Sequence, residues 1–347
     1  MSTTSSSNQK RVYVVLGFAR GGTSAIARAL KVLGIDLGAK LSAADNRWNP
    51  TGFWEDNEIV YKIHQGIFYF LKQPWMSTRL VEKSEFDIPA IQKLKKQAMQ
   101  LVLKRMKTTS HWGFKDPRTA KVLPFWQDIF KTMNVDDAYI IALRNPLSSA
   151  RSYQALTGTD METGLLLWLM HMVAAIEGTH GKRRVIVSYE SMLRDARTQL
   201  SRIKEALHTP MTIDEQELNV YANQFLDKKL EKYHGTEDEL KTNASAAAIP
   251  LCSQVYFTLL SAANDEMRFD SQAFQSAWDA IMKEFQIHYR SYCYIDELLS
   301  RVKHLGKHVH KAQKSLPWKL AYPLRVIDDF LRANRRRRRE QKRLELS

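Results

Sequence analysis

Two cysteines, Cys252 and Cys293, in 347 residues are too few for a disulfide framework. Packing must hold the fold, and both thiols are expected to stay reduced. Long apolar runs are missing as well. The longest near-apolar stretch, Gly164 to Ile176, is 13 residues and is interrupted by His171, whereas a membrane-spanning helix needs roughly 20. The first ten residues are polar and rich in Ser and Thr, without the basic start and apolar centre of a secretory signal. The sequence therefore predicts a cytoplasmic protein with no transmembrane helix. His64, His111, His171, His180 and His234 show no metal-ligand spacing beside a carboxylate, so no metal is expected.

Acidic residues are outnumbered, 37 Asp+Glu against 52 Lys+Arg, for a net charge of +15. The excess is uneven. Residues 301–347 hold 15 Lys/Arg and 4 Asp/Glu, which leaves the first 300 residues only mildly basic. A fold with a basic face for nucleic acid distributes its charge differently, so no specific nucleic-acid partner is expected. What the chain does have is apolar content: 44% hydrophobic residues, ample for a globular core.

Along the chain, short β-branched runs alternate with helical patterns. Val12–Leu16, His111–Lys115, Ala138–Leu143 and Arg184–Ser188 read as strands. Ser24–Leu33, Asn57–Leu71, Ile91–Met106, Thr119–Met133, Thr163–Gly178 and Ser191–Leu207 read as helices, and the chain after Pro250 reads as purely helical. Buried strands alternating with helices predict an α/β fold: a P-loop-like three-layer α/β/α arrangement around a central parallel sheet, with a helical C-terminal extension. The expected organisation is a flexible arm over 1–10, a main domain over 11–250, a helical extension over 251–314 and a basic amphipathic tail over 315–347.

Between the first strand and the first helix lies Gly17-Phe-Ala-Arg20-Gly21-Gly22-Thr23-Ser24. Amides in such a turn converge on one point and the helix N-terminus adds positive potential, which suits a phosphate. The pattern follows G-x-x-x-x-G-K-[ST] except that Thr23 replaces the lysine. Without that lysine a triphosphatase loses its contact to the terminal phosphates. The loop's cation is instead Arg20. The competing reading is a tight β–α turn with glycines for packing.

This segment resembles the 5′-phosphosulfate loop of sulfotransferases that use 3′-phosphoadenosine 5′-phosphosulfate (PAPS). In that family a Lys or Arg, a small residue, Gly and two Ser/Thr end the first strand, here Arg20, Gly21, Gly22, Thr23 and Ser24. A second segment resembles the family's 3′-phosphate site: Arg144 at a strand end and Ser152 eight residues later. Arg supplies a bidentate fork and Ser a hydroxyl donor. Asn49–Asp56, Lys115-Asp116-Pro117-Arg118 and Val187–Glu190 resemble segments of the bacterial carbohydrate-type branch, and the resemblance spans roughly residues 11 to 235. The catalytic histidine of the small-molecule branch has no counterpart, which points to an acidic base.

The resemblance implies a sulfuryl transfer from PAPS as co-substrate, without metal, to a hydroxyl of a glycan or lipid-linked sugar, in a bacterial envelope or capsule. Arg20 would neutralise charge on the departing nucleotide. The amides of Gly21 to Ser24, with the hydroxyls of Thr23 and Ser24, would hold the 5′-phosphate, and Arg144 and Ser152 the 3′-phosphate. Glu55 is the expected general base, partly desolvated by Phe53 and Trp54, with Asp56 and Glu190 next in order. Acids at this position also suit a helix N-terminus. Lys115 would contact the sulfonate or orient the base; its alternative is a salt bridge with Asp116 or a neighbour. Trp48, Phe53 and Trp54 would stack on a sugar face, or else belong to core or lid. The alternatives in other classes are a P-loop small-molecule kinase and a non-enzymatic membrane-surface binding protein.

The tail combines Trp318, Leu320 and Tyr322 with Leu324, Ile327 and Leu331 at helical spacing, followed by the unbroken block Arg335–Arg339. An apolar face, aromatic anchors and adjacent cations are what an interfacial helix on an anionic membrane needs. The run from Tyr294 to Lys314 reads as a helical stalk, and the tail as a peripheral anchor at the inner face of the membrane.

Overall fold

The computed structural model describes residues 10–226 and 233–315, and beyond them Trp318, Leu324 and Arg332 alone. The arm over 1–9 and nearly all of the tail over 315–347 lie outside the described residues, so the amphipathic reading of that tail is a reading of sequence only.

Four strands form one parallel sheet: β1 (Arg11–Leu16), β2 (His111–Lys115), β3 (Asp136–Leu143) and β4 (Arg183–Ser188), in the order β2-β1-β3-β4. Val14 lies opposite Phe114 on one side and Tyr139 on the other. Side chains alternate between faces with period two, and here both faces are buried. Val12, Val14 and Leu16 enter one core with Trp112, Trp126 and Trp168; Tyr13 and Val15 enter a second with Ile26, Leu30 and Leu200. That is why β1 reads as an unbroken apolar run rather than an alternating one. Helices Met161–Gly178 and Pro250–Ala263 pack in the first core, and α1 (Thr23–Val32) and Ala196–Ala206 in the second. The result is the α/β/α layering expected of the sequence, with the C-terminal helical extension.

Three expected helices differ in detail. Asn57–Leu71 is a wide-turned π segment, Glu58–His64, followed by an α segment, Gln65–Phe70. The π segment buries Ile59, Val60, Ile63 and His64, a spacing of three and four residues that an α-helix shares, so apolar spacing does not distinguish the two windings. Ser191–Leu207 is two helices broken at Asp195, whose side chain accepts from the Thr198 amide and caps the second. Asp gains more from capping than from a helix interior. The helix expected from Thr119 begins as a 3₁₀ turn at Pro117, whose preset φ starts it, and becomes α-helical at Leu123.

The chain falls into two compact units, Met1–Tyr292 and Cys293–Ser347. In the first, Phe274, Trp278, Ile281 and Phe285 from the long helix Gln272–Lys314 are buried in the core. The second contains the rest of that helix. No helix among the described residues is long and apolar enough to cross a membrane.

Candidate active site

The strand order reverses direction between β1 and β3. In open parallel sheets the crevice outside the carboxyl ends of such neighbouring strands is where ligands bind. The loop after β1 and Arg144 after β3 meet at this point.

Backbone geometry at the loop is tightly specified. Gly17 has φ +143 and a Cβ there would lie 2.8 Å from the Ala142 carbonyl oxygen; Gly22 has φ +79 and a Cβ would strike the Tyr189 ring at 2.4 Å. The chain therefore approaches β3 and Tyr189 more closely than any side chain allows. Gly22 ends the loop at the N-terminus of α1, and no side chain caps that terminus. The first α1 amides are left as donors at the positive end of the helix dipole.

Arg20 adopts a left-handed conformation, φ +67. Its Nε donates to Ser152 Oγ at 3.0 Å and its Nη1 to the Trp48 carbonyl at 2.5 Å. Arg144 is buried and donates to the carbonyls of Arg20 (3.0 Å) and Tyr233 (2.9 Å), with its guanidinium 4.9 Å from the Tyr189 ring centroid. Burial, and then the neighbouring Arg144 charge, lower the pKa of Arg20. Arg20, Ser152, Arg144, Thr23 and Ser24 line one pocket of about 230 Å³, with Trp48, Tyr189, Phe225 and Tyr233 as its aromatic walls. Two mutually repelling guanidiniums in a shielded pocket are relieved by a bound anion.

The sequence reading grouped Arg20 with the 5′-phosphate loop. The structure turns its side chain to Ser152 and the Trp48 carbonyl, with Arg144 bonded to its backbone oxygen, and places a different cation at Ser24. Lys115, the last residue of β2, is buried; its Nζ lies 3.2 Å from Ser24 Oγ and 2.7 Å from Glu55 Oε1. Ser24 Oγ also donates to the Phe53 carbonyl (3.1 Å) and accepts from Asn49 Nδ2 (3.0 Å). Lys115 thus pairs with Glu55 rather than with Asp116, and Glu55 is brought to the loop. Burial pushes the Glu55 pKa up, against the pull of Lys115 and the more distant Arg118.

The fallback bases are placed elsewhere. Asp56 is fully committed: its Oδ2 accepts from Arg105 Nε at 2.8 Å and Nη2 at 2.6 Å, and its Oδ1 from the Glu58 amide at 2.9 Å. Removing one partner of such a buried pair costs roughly 3–5 kcal/mol, so Asp56 is structural and cannot serve as a base. Glu190 accepts from Ser188 Oγ at 3.1 Å and the Asn145 amide at 3.4 Å, and burial raises its pKa. It braces the turn after β3. Trp54 packs edge-on against Phe225, lies under Arg28 and donates to the Thr51 carbonyl. It belongs to the protein's own packing, whereas Trp48 stays exposed on the pocket rim.

A buried network of His64, Asp116, Arg118 and Trp126 has no local signature in the sequence beyond the Asp116-Pro117 step. Trp126 Nε1–H donates to His64 Nε2 at 2.8 Å. An indole N–H can only donate, so His64 Nε2 carries no proton and Nδ1–H donates to Asp116 Oδ2 at 2.8 Å. Asp116 in turn accepts from the Arg118 amide and Nε at 2.9 Å and from Nη2 at 2.7 Å. Burial alone would raise the Asp116 pKa; His64 and Arg118 hold it far below the usual carboxylate range. This buried relay clamps the turn after Lys115. The Asp-Pro step beyond a strand end was its one sequence signal; the pairing with His64 was not encoded locally.

No protein-family model matches the chain, and no curated protein matches it either. Among solved structures it is similar to the sulfotransferase domain from the Synechococcus PCC 7002 olefin synthase, at 16% identity over 75% of this chain and 98% of that one, with a TM-score of 0.42. It is also similar to the sulfotransferase domain from the curacin biosynthetic pathway, at 12% identity over 80% of this chain and 99% of that one, with a TM-score of 0.37.

Proposed function

We propose that this protein is a PAPS-dependent sulfotransferase acting on a hydroxyl of a carbohydrate or envelope glycan. The observation that carries the reading is the convergence at one crevice of the uncapped α1 N-terminus, the Arg20–Ser152–Arg144 group and the Ser24–Lys115–Glu55 group. The donor set fits a nucleotide with two separated anionic ends. Arg144, Arg20 and Ser152 hold the 3′-phosphate, and the α1 amides with the Thr23 hydroxyl hold the 5′ end, Ser24 contributing its amide because its hydroxyl already donates to the Phe53 carbonyl. Phe225 and Tyr233 offer flat surfaces to a purine.

PAPS brings the sulfuryl group and its leaving phosphate; the chain's residues do the positioning and proton handling. Lys115 presents its ammonium at the 5′ end, where negative charge grows during transfer. Glu55 accepts the acceptor hydroxyl's proton. A kinase reading lacks support, because Thr23 stands where the phosphate-loop lysine is required. The glycan acceptor rests on the resemblance of the Asn49–Asp56 and Lys115–Arg118 segments and on the exposed Trp48.

The test is a comparison of nucleotides. PAP, the desulfated form of PAPS, is expected to raise the melting temperature and ATP·Mg²⁺ to leave it unchanged. PAP is also expected to bind tighter than 5′-AMP, which lacks the 3′-phosphate, and Arg144→Ala to remove about 2 kcal/mol of that preference, a factor of about 30. A general loss for both nucleotides would assign Arg144 to bracing the loop; an unchanged preference would displace the 3′-phosphate site.

The basic tail is proposed to rest on an anionic membrane, which would bring the site to lipid-linked acceptors. In co-sedimentation, the full chain is expected to bind anionic but not neutral vesicles, and a chain ending at Lys314 to stay in the supernatant. Equal behaviour of the two chains would exclude the anchor.

A further inference from the structure

The helix Gln272–Lys314 belongs to the second compact unit from Cys293 onward. Along that stretch Ile295, Leu298, Val302, Leu305, Val309 and Ala312 recur at alternating steps of three and four residues. Written as a heptad, the a positions are Ile295, Val302 and Val309, and the d positions Leu298, Leu305 and Ala312. Every one of them is exposed: Val302 at 65%, Leu305 at 62%, Val309 at 53%, Ile295 and Leu298 at 40% each, and Ala312 likewise. We propose that this helix pairs with the same helix of a second copy of the chain, as a short parallel two-stranded coiled coil.

Three features commit the face to that occupant. The first is residue choice. β-branched Ile and Val at a with Leu at d is the combination that favours two parallel strands over higher assemblies. The second is charge. No charged residue occupies an a or d position; Asp296, Glu297, Lys307 and Lys311 fall at b, c and f, which point outward in a two-stranded coil. The one charged g residue, Arg301, is neutralised by its own Glu297 at 2.5 Å. In a parallel pair it would meet Gly306 of the second copy, and Tyr294 would meet Leu299 of the second copy, so no like charges oppose each other. The third is area. These apolar residues, with Leu299 and Tyr294 on the flanks, expose roughly 600 Å² per helix, at the upper end of what monomers leave bare. Two such faces reach roughly 1,200 Å², the lower bound of a specific interface. A lipid surface would call for a wider apolar arc with no acids beside it, whereas this stripe is a narrow a/d seam.

With fewer than three full heptads the pair is expected to be weak, with a dissociation constant in the range of about 1 to 50 μM. The test is sedimentation velocity of the full chain across about 1 to 100 μM, without lipid. The 40.2 kDa chain is expected to shift toward twice its mass as concentration rises. The double variant Leu298→Lys, Leu305→Lys is expected to stay monomeric throughout, a weakening of at least about 30-fold. Ser300→Lys, at an outward f position, is expected to dimerise like the parent and serves as the control for added charge. Under mild oxidation Ala312→Cys is expected to form a covalent dimer that the parent chain does not, because in-register parallel helices bring the two d positions together. A monomer at the highest concentration, a dimer indifferent to the double lysine change, or no cross-link through residue 312 would each overturn the proposal. So would a chain that is monomeric in solution but binds vesicles through Leu298 and Leu305.

Discussion

Glu55→Gln is expected to lower turnover by about 10²-fold or more while PAP binding stays within about threefold. The amide keeps the shape of the carboxylate and can still accept from Lys115 Nζ, which lies 2.7 Å from Oε1. What it cannot do is take a proton. Because the base must be ionised to work, the parent enzyme's rate falls as pH drops through the Glu55 pKa. Burial has moved that value above the ordinary carboxylate figure, so the acidic limb lies at a higher pH than a solvent-exposed glutamate would give. The variant's residual rate is expected to lack this limb. Near-normal turnover in Glu55→Gln would remove Glu55 from the chemistry. Glu190 would then be the next acid to test, since Arg105 already holds Asp56.

Lys115→Met is expected to cost at least as much turnover, about 10²- to 10³-fold. One buried ammonium serves two partners, Ser24 at the loop and Glu55 at the acceptor side. Its loss removes the cation at the 5′ end and leaves a buried carboxylate without its closest counter-charge. The Glu55 pKa must rise further, so the acidic limb of the pH–rate profile is expected to move to higher pH in addition to the fall in rate. Lys115→Arg, which keeps the charge, is expected to restore much of the limb's position and only part of the rate, because the larger planar head does not fit between the same two oxygens. A fall in rate with no displacement of the limb would mean that Lys115 contributes only through stability.

The two halves of the site were unequally legible. The proposed nucleotide side is written in local pattern: a strand, a glycine-bearing turn with Arg20, a helix starting at Thr23, then Arg144 at a second strand end with Ser152 eight residues on. Each of these depends on backbone geometry over a few residues, which β-branched runs, glycine and Asn-Pro specify. The proposed acceptor side is written in distant pairs. Glu55 and Asp56 are adjacent in sequence and chemically alike, yet one meets Lys115 and the other Arg105. No local feature separates them; the packing of two elements 60 and 49 residues away does.

Sequence alone determined the α/β class, the order of the strands and helices along the chain, and the glycine-bearing turn between β1 and α1, because periodicity and turn chemistry act over short range. It also determined the helical run from Tyr294 to Lys314, which lies within the helix Gln272–Lys314; that its Ile295–Ala312 face is exposed is a fact of the structure. Tertiary structure alone decided which cation stands where. Arg20 turns toward Ser152, 132 residues away, and Lys115 reaches Ser24, 91 residues away. It decided, too, that His64 is neutral and proton-bearing at Nδ1, through Trp126 and Asp116. A buried charge or ring nitrogen takes whichever partner the fold brings within hydrogen-bonding distance, since leaving it unpaired costs more than any local preference can offset.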